Sequence, residues 1–380
     1  MNTIATRQHT ELKRPSVSFS PARIGDFRNG LVVRMPNHLG DAVMALPALA
    51  ALKGIIPEHC GLFVVTPAGI AQLYQALPMV DDIIPLAQPH RFWSKDELRQ
   101  VRQLHPGAAV LFNHSLRDAL CFKAAGVGEL YGEPTRGRGF LLEGSFPFPR
   151  REKGQYSPSH QTMRYLAIAE ALGGHAVEGF MPEIVIPCAA DELHGPAASL
   201  FYHPLLLTLA PGAAYGAAKR WPHSDYAKVA EYWIRRGGAV AICGSGSEAA
   251  IGDAIIRELP VKGCFNLCGK TDLFALMHIF RFSALAVTND SGLMHLAAAM
   301  KCRGITVFGP TDLHDTGPVS DRWLMIHERE ACAPCLERIC PKGRAVCMEK
   351  ITPAKLLRVL RREAAENRLP LAKMRRASNG

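Results

Sequence analysis

The sequence contains no uninterrupted apolar run of about 18 residues, so it offers no segment that would cross a bilayer as a helix. Its opening stretch, MNTIATRQHTELKRPSVSFS, lacks the roughly 7–15-residue apolar region of a secretory leader. Low-complexity tracts are also missing: with 33 Gly and 27 Pro, collagen-like and biased chains are excluded. Charged residues make up only 21% against 48% hydrophobic ones, which is globular composition and excludes a largely disordered chain. These absences lead us to expect a soluble, cytoplasmic protein. In that compartment the 11 cysteines read as reduced thiols or a metal site, not as a disulfide framework.

What the chain does have is length and positive charge. Its 380 residues suggest two or three domains at roughly 100–200 residues each. The formal charge of +10 calls for an anionic partner: nucleic acid, a membrane surface or a phosphorylated substrate. That charge is unevenly spread. Residues 1–30 carry +3 and residues 351–380 carry +6, which leaves +1 for everything between. The basic tail has no interleaved aromatics on which bases could stack, and this argues against nucleic acid.

Residues 1–28 are polar and without pattern, and read as a flexible extension. From Leu31 onward short apolar strands alternate with helical stretches, the signature of a parallel sheet in an α/β domain. Asp41–Lys53 reads as one helix that Pro47 would kink. Gly132–Pro158 reads as loop, and residues 182–200, punctuated by Pro and Gly, as a linker. A second α/β series runs from Leu205 to Phe308. The expected divisions are therefore 1–28, 29–187, 188–352 and 353–380, with the last a helix and basic tail.

Five places carry residues suited to chemistry. Gly40-Asp41 follows the first strand; Asp41 reads either as a helix cap or as a carboxylate that accepts a proton. In Ala210–Pro222 small residues, Gly212 among them, let backbone approach an anion, and Lys219 supplies a point charge unless it is simply solvated. The run Gly244-Ser245-Gly246-Ser247-Glu248-Ala249 fits the dinucleotide fingerprint, but the acidic residue expected about twenty positions on is missing. A cap with Glu248 free for a ribose hydroxyl suits another nucleotide as well. Asp290, Ser291, Gly292 and His295 lie at a strand-to-helix junction and together favour anion binding, although each alone reads as a cap or a core residue. Cys332, Cys335, Cys340 and Cys347 read as a zinc site or as buried or redox-sensitive thiols; their spacing is not that of a zinc ribbon.

Taken together, PNHLGDAVMALPALAALK, SHQTMRYLAIAEALG, LAPGAAYGAAKRWPHSDYAKVA, TNDSGLMHLAAAM, ITVFGPTD and CAPCLERICPKGRAVCMEKITP resemble glycosyltransferase family 9, the ADP-heptose:lipopolysaccharide heptosyltransferases. The resemblance runs in order over roughly residues 31–360. It implies a GT-B fold, two Rossmann-like domains facing across a cleft, with the final helix crossing back onto the first. It implies an inverting enzyme that adds the second heptose of the lipopolysaccharide inner core, with ADP-heptose as donor and no required cofactor or metal. By the same resemblance Asp41 is the general base and Lys219 contacts the donor diphosphate. Gly212, Ser245, Glu248, Asp290, Ser291, Gly292 and His295 bind the donor. Asn37, Arg117, Arg136 and Arg138 are candidates for the acceptor, a lipid-linked oligosaccharide; the three arginines read equally as solvated loop residues. The basic ends suggest peripheral association with the cytoplasmic face of the inner membrane. Three readings compete: a family member with another acceptor, such as an autotransporter protein or a different surface glycan; a four-cysteine metal- or nucleic-acid-binding protein; and an NAD-dependent enzyme resting on residues 244–249.

Overall fold

A computed structural model describes residues 4–7, 12–16, 19, 27–149, 154–175, 181–188, 200, 202–328 and 330–366. The linker expected at 182–200 falls largely outside these residues, as does the tail beyond Pro370. The chain divides into two compact units. The amino-terminal unit comprises Glu11–Arg151 and Ser157–Pro187; the carboxy-terminal unit comprises Met1–Thr10, Glu152–Tyr156 and Cys188–Gly380. The first strand, β1 (Ile4–Arg7), thus belongs to the unit that the rest of the sequence builds last.

The amino-terminal unit is a six-stranded parallel sheet of β2 (Leu31–Arg34), β3 (Leu62–Pro67), β4 (Asp82–Leu86), β5 (Ala108–Leu111), β6 (Glu129–Gly132) and β7 (Gly144–Ser145). Its order, β4-β3-β2-β5-β6-β7, is that of the Rossmann fold, with β2 as the first strand. Leu31 of β2 pairs with Leu62 on one side and Ala108 on the other, so β2 and β5 flank the point where the strand order reverses. Side chains on both faces of β2 and β5 are buried, which explains the apolar runs Leu31-Val32-Val33 and Ala108–Leu111; Arg34 at the end of β2 is buried as well. Among the described residues six helices cover the sheet: α1 (Leu39–Met44), α2 (Leu46–Lys53), α3 (Ala71–Gln75), α4 (Lys95–Gln103), α5 (Leu116–Ala124) and α6 (Gln161–Ala171). On one side Val32, Val65, Trp93, Phe122 and Leu130 form a core in which Trp93 meets Phe122 edge-on at 4.8 Å. The single helix expected over Asp41–Lys53 is two helices that share Ala45, and Pro47 sits in the first turn of α2, where its missing N–H costs nothing. The expected loop 132–158 carries the short strand β7 and a 3₁₀ turn at Arg138–Leu141.

The carboxy-terminal unit repeats the plan with β8 (Leu206–Ala210), β9 (Ala239–Ile242), β10 (Cys264–Asn266), β11 (Leu285–Asn289), β12 (Gly304–Phe308) and β13 (Trp323–His327). Its order is β10-β9-β8-β11-β12-β13, with β1 added antiparallel to β13 at the far edge. The segment expected to be a patternless extension therefore contributes an edge strand, Ile4 opposite His327. Its helices are α7 (His223–Ile234), α8 (Ala249–Arg257), α9 (Leu273–Phe282), α10 (Gly292–Ala299), α11 (Leu313–Thr316), α12 (Val346–Glu349) and α13 (Pro353–Ala365). The resemblance leads to an expectation that this last helix lies on the first domain. Its Leu356, Val359 and Leu360 sit in the carboxy-terminal unit's own core with Trp221, Tyr226 and Trp233. Among the described residues no helix is long and apolar enough to cross a membrane.

Candidate active site

In open α/β sheets ligands bind beyond the carboxyl ends of the strands, where the strand order reverses. In the amino-terminal unit that place is the pair of loops after β2 and β5, and Asn37 and Asp41 stand on the first of them. Asp41 is not the cap of α1: the cap position is His38, and Asp41 lies in the first turn, half-buried. There its charge is favoured by the helix dipole. Asp41 also lies close enough to act on Tyr165 of α6, whose hydroxyl is held protonated by burial and, secondarily, by that carboxylate's charge.

Beneath this loop runs a buried polar network. Arg34, the last residue of β2, is wholly buried; its Nε donates to Asp118 Oδ2 at 2.7 Å and its Nη2 to Asn37 Oδ1 at 2.6 Å. Asp118 is equally buried and takes a second bond from Asn113 Nδ2. Arg138 donates from Nε to the Glu133 carbonyl at 2.8 Å and from Nη1 to Asn113 Oδ1 at 3.5 Å. Burial outweighs Glu133 and Asp118 and lowers the Arg138 guanidinium to about 10. So the three arginines considered for the acceptor part company. Arg138 is fully buried, Arg117 is half-buried and donates to the Pro89 carbonyl at 3.2 Å, and Arg136 is exposed in left-handed backbone. Arg136, Arg138 and Arg164 also join burial in keeping His114 neutral, which marks a basic neighbourhood around the ends of β5 and β6.

In the carboxy-terminal unit the reversal lies between β8 and β11, and the sequence places the other group of candidates there. Lys219, at the end of a 3₁₀ turn, donates from Nζ to Asp290 Oδ2 at 2.6 Å. Thr311 Oγ1 donates to the same oxygen at 2.6 Å. The side chains of Lys219 and Asp290 are 11% and 4% exposed, so the pair is nearly sealed and little screened by solvent. Asp290 therefore faces Lys219 and Thr311. His295, buried in α10, is pushed down to about 4 chiefly by burial, with Asp290 opposing and Lys219 assisting, so it is neutral near pH 7. Ser291 occupies the cap position of α10 without a side-chain cap bond, and Gly292 begins the helix, both partly exposed. Ser245 and Glu248 form a capping box in which Glu248 Oε2 accepts from Ser245 N at 2.7 Å. Gly212 lies against the same carboxylate: a Cβ there would fall 1.8 Å from Glu248 Oε1. The loops after β8 and β9 thus meet where Gly212 leaves room for the Glu248 carboxylate.

Two residues outside the sequence-based candidates complete this region. Asn289, fully buried at the end of β11, accepts from Trp221 N and Tyr226 Oη through Oδ1 and donates to the Pro211 and Gly212 carbonyls through Nδ2. It pins both ends of the loop that carries Lys219. Thr311 follows β12, and its bond to Asp290, 21 residues away, lies beyond local pattern. The four-cysteine reading is not supported: Cys332 is exposed, Cys335 and Cys340 are half-buried and Cys347 is buried. Among the described residues no group of three or more His, Cys, Asp or Glu is disposed to hold a metal ion. Burial, with the other three thiols nearby, raises the Cys347 thiol to about 11 and makes it unreactive at neutral pH.

Residues 98–345 match the model of glycosyltransferase family 9 (heptosyltransferase). The chain is 30% identical over 346 residues to lipooligosaccharide heptosyltransferase 2 of Campylobacter jejuni, covering 86% of this chain and 96% of that protein. It is 31% identical over 307 residues to lipooligosaccharide heptosyltransferase 2 of Haemophilus influenzae, covering 77% and 86%. Its fold matches that of the Escherichia coli ADP-heptose lipopolysaccharide heptosyltransferase II with a TM-score of 0.73 at 24% identity, over 89% of this chain and 99% of that one. Two Rossmann-like units with candidate sites at their reversal points, and a family match that spans most of the carboxy-terminal unit and about half of the amino-terminal one, lead to one conclusion: the chain belongs to glycosyltransferase family 9 and is a glycosyltransferase of the GT-B fold class.

Proposed function

We propose that this enzyme moves heptose from ADP-heptose to the inner core of lipopolysaccharide, adding the second heptose with inversion at the anomeric carbon. The observation that carries the substrate assignment is the similarity over 96% of the length of a protein named heptosyltransferase 2. The donor is taken from the name of the Escherichia coli protein that shares the fold.

In this reading the carboxy-terminal unit binds the donor. As the anomeric C–O bond breaks, negative charge gathers on the departing ADP. Lys219 meets that charge, aided by the N–H groups of Ser291 and Gly292 at the start of α10. Asp290 keeps Lys219 in place, His295 fills the neighbouring space as a neutral group, and Glu248, fixed by Ser245 beside Gly212, addresses the ribose. The amino-terminal unit binds the acceptor. Its hydroxyl oxygen attacks the anomeric carbon, and the proton passes to the Asp41 carboxylate. Because Arg34 occupies the carbonyl oxygen of Asn37, the amide nitrogen is left to donate to an acceptor oxygen. Arg117 and Arg136 meet acceptor anions, and Arg138 acts from inside by holding Asn113. The reading calls for no metal and no further cofactor.

Arg358, Arg361 and Arg362 line the exposed side of α13, just before the basic tail. They suit peripheral binding to an anionic membrane surface, where a lipid-linked acceptor resides. The deciding experiment is product analysis after incubating the enzyme with ADP-heptose and defined truncated core acceptors. A single heptose added to the acceptor that already carries one is expected. Transfer only to a protein or to another glycan would replace the acceptor assignment, and no transfer from ADP-heptose would overturn the donor.

A further inference from the structure

The cysteine-bearing segment stands outside the function described so far, yet it touches the donor loops at several points. The Leu336 carbonyl accepts from Tyr215 Oη at 2.5 Å, and the Arg338 carbonyl from Ala218 N at 3.0 Å. Between these bonds Gly216 meets the same backbone, since a Cβ there would lie 2.3 Å from the Arg338 oxygen. Leu336 N in turn donates to the Pro310 carbonyl at 2.9 Å, next to Thr311. The segment therefore grips both the loop that carries Lys219 and the loop whose Thr311 bonds to Asp290.

The Tyr215 ring is what this grip presents to the site. Lys219 Nζ lies 4.6 Å from its centroid, and the Arg338 guanidinium 5.3 Å from the same centroid. An ammonium group has three N–H donors. Asp290 takes one, the face of Tyr215 attracts the charge from another direction, and a donor remains for a diphosphate oxygen. We propose that Tyr215 is a positioning residue for Lys219, and that Leu336 and Arg338 of the cysteine-bearing segment are the clasp that holds its ring in place. This rests on the reading of Lys219 as the diphosphate contact.

The test is ADP binding by calorimetry on the full chain, with Tyr215→Leu, Tyr215→Phe, Lys219→Ala and the double variant Lys219→Ala/Tyr215→Leu. Removing the ring should weaken ADP binding about tenfold, in keeping with a contact between a nearly buried ammonium and a ring that is 37% exposed. Tyr215→Phe keeps the ring and loses only the bond to Leu336, and should weaken binding about threefold. In the Lys219→Ala background the Tyr215→Leu change should have no further effect, which a merely structural role for Tyr215 would not produce. Steady-state kcat/KM for ADP-heptose should follow the same order. If Tyr215→Leu binds ADP within twofold of wild type, or costs as much without Lys219 as with it, the positioning role is wrong. Tyr215→Phe equal to wild type would overturn the clasp, and Tyr215→Phe as weak as Tyr215→Leu would overturn the ring contact. If Lys219→Ala alone leaves ADP affinity unchanged, it is the underlying reading of Lys219 that fails.

Discussion

Replacing His295 by Gln should make the carboxy-terminal unit less sensitive to acid, by an amount the structure sets. In the native protein this imidazole takes up a proton only near pH 4, because burial disfavours its charged form. In the unfolded chain it does so near its ordinary value of about 6.5. Between those values the unfolded state binds more protons, so acidification stabilises unfolding. Going from pH 7 to pH 5, this one group should remove about 2 kcal/mol of stability. His295→Gln keeps a neutral side chain of similar size in α10 and leaves every other titration as it was. The wild-type protein should therefore lose about 2 kcal/mol more than the variant over that interval. For a unit of roughly 150–250 residues this corresponds to a melting-temperature difference of about 4–8 °C. Scanning calorimetry at both pH values measures it, and the transition that added ADP moves upward identifies the donor-binding unit. Parallel losses in the two proteins, within about 0.5 kcal/mol, would refute the claim that His295 is held neutral by burial.

Asp41→Asn should lower turnover by about 10²–10⁴-fold, the usual contribution of a general base, while ADP affinity stays within twofold; near-normal turnover would remove Asp41 from the proton transfer. Arg34→Met strands the Asp118 carboxylate in the interior and should destabilise the amino-terminal unit by about 3–5 kcal/mol in urea denaturation. Arg34→Met with Asp118→Leu should cost clearly less, and equal losses would show that the ion pair is not what the single variant breaks. Deleting residues 367–380 should weaken binding to anionic vesicles and leave transfer to a soluble acceptor intact; unchanged vesicle binding would exclude the tail as a membrane contact.

Most of both sheets was legible because most parallel strands are short apolar runs ending in a Gly-, Pro- or Ser-rich loop; β7, only Gly144-Ser145 in a stretch that reads as loop, and β13, beyond the expected series, were not. The loops that gather at the two reversal points were legible for the same reason. Pairings across long stretches of chain were not. β1 is four residues in a polar stretch, and its partner β13 lies more than three hundred positions away, so nothing local signals an edge strand. Arg34 reads as an interruption of an apolar strand; its partner Asp118 is 84 residues on. Asp41 looked like a cap because capping residues and first-turn acids occupy neighbouring positions, and backbone angles placed the cap at His38. The cysteines drew attention through their spacing. What ties their segment to the donor loop, however, is backbone at Leu336 and Arg338, which no residue-type pattern records.

Arg34 and Asn289 show how two similar sheets make loops precise enough for chemistry. Each is the last residue of its strand, flanks a reversal point and is wholly buried. Beyond a strand end the sheet's hydrogen-bond ladder stops, and the loop that follows has no repeating partner to fix it. Asn289 uses all four bonds of its amide on the loop from Pro211 to Trp221 and on Tyr226. Arg34 reaches Asn37 in the loop after its own strand, the Met35 carbonyl at 2.6 Å and Asp118 on α5. An apolar residue at either place would strand those carbonyls and amides without partners, at about 1–3 kcal/mol each. The polar side chain therefore extends the order of the ladder one step outward. Lys219 stands on the loop that Asn289 fixes, and Asp41 follows directly on the one held by Arg34. In each unit the group proposed to react is held from below, by a buried polar side chain that touches no substrate.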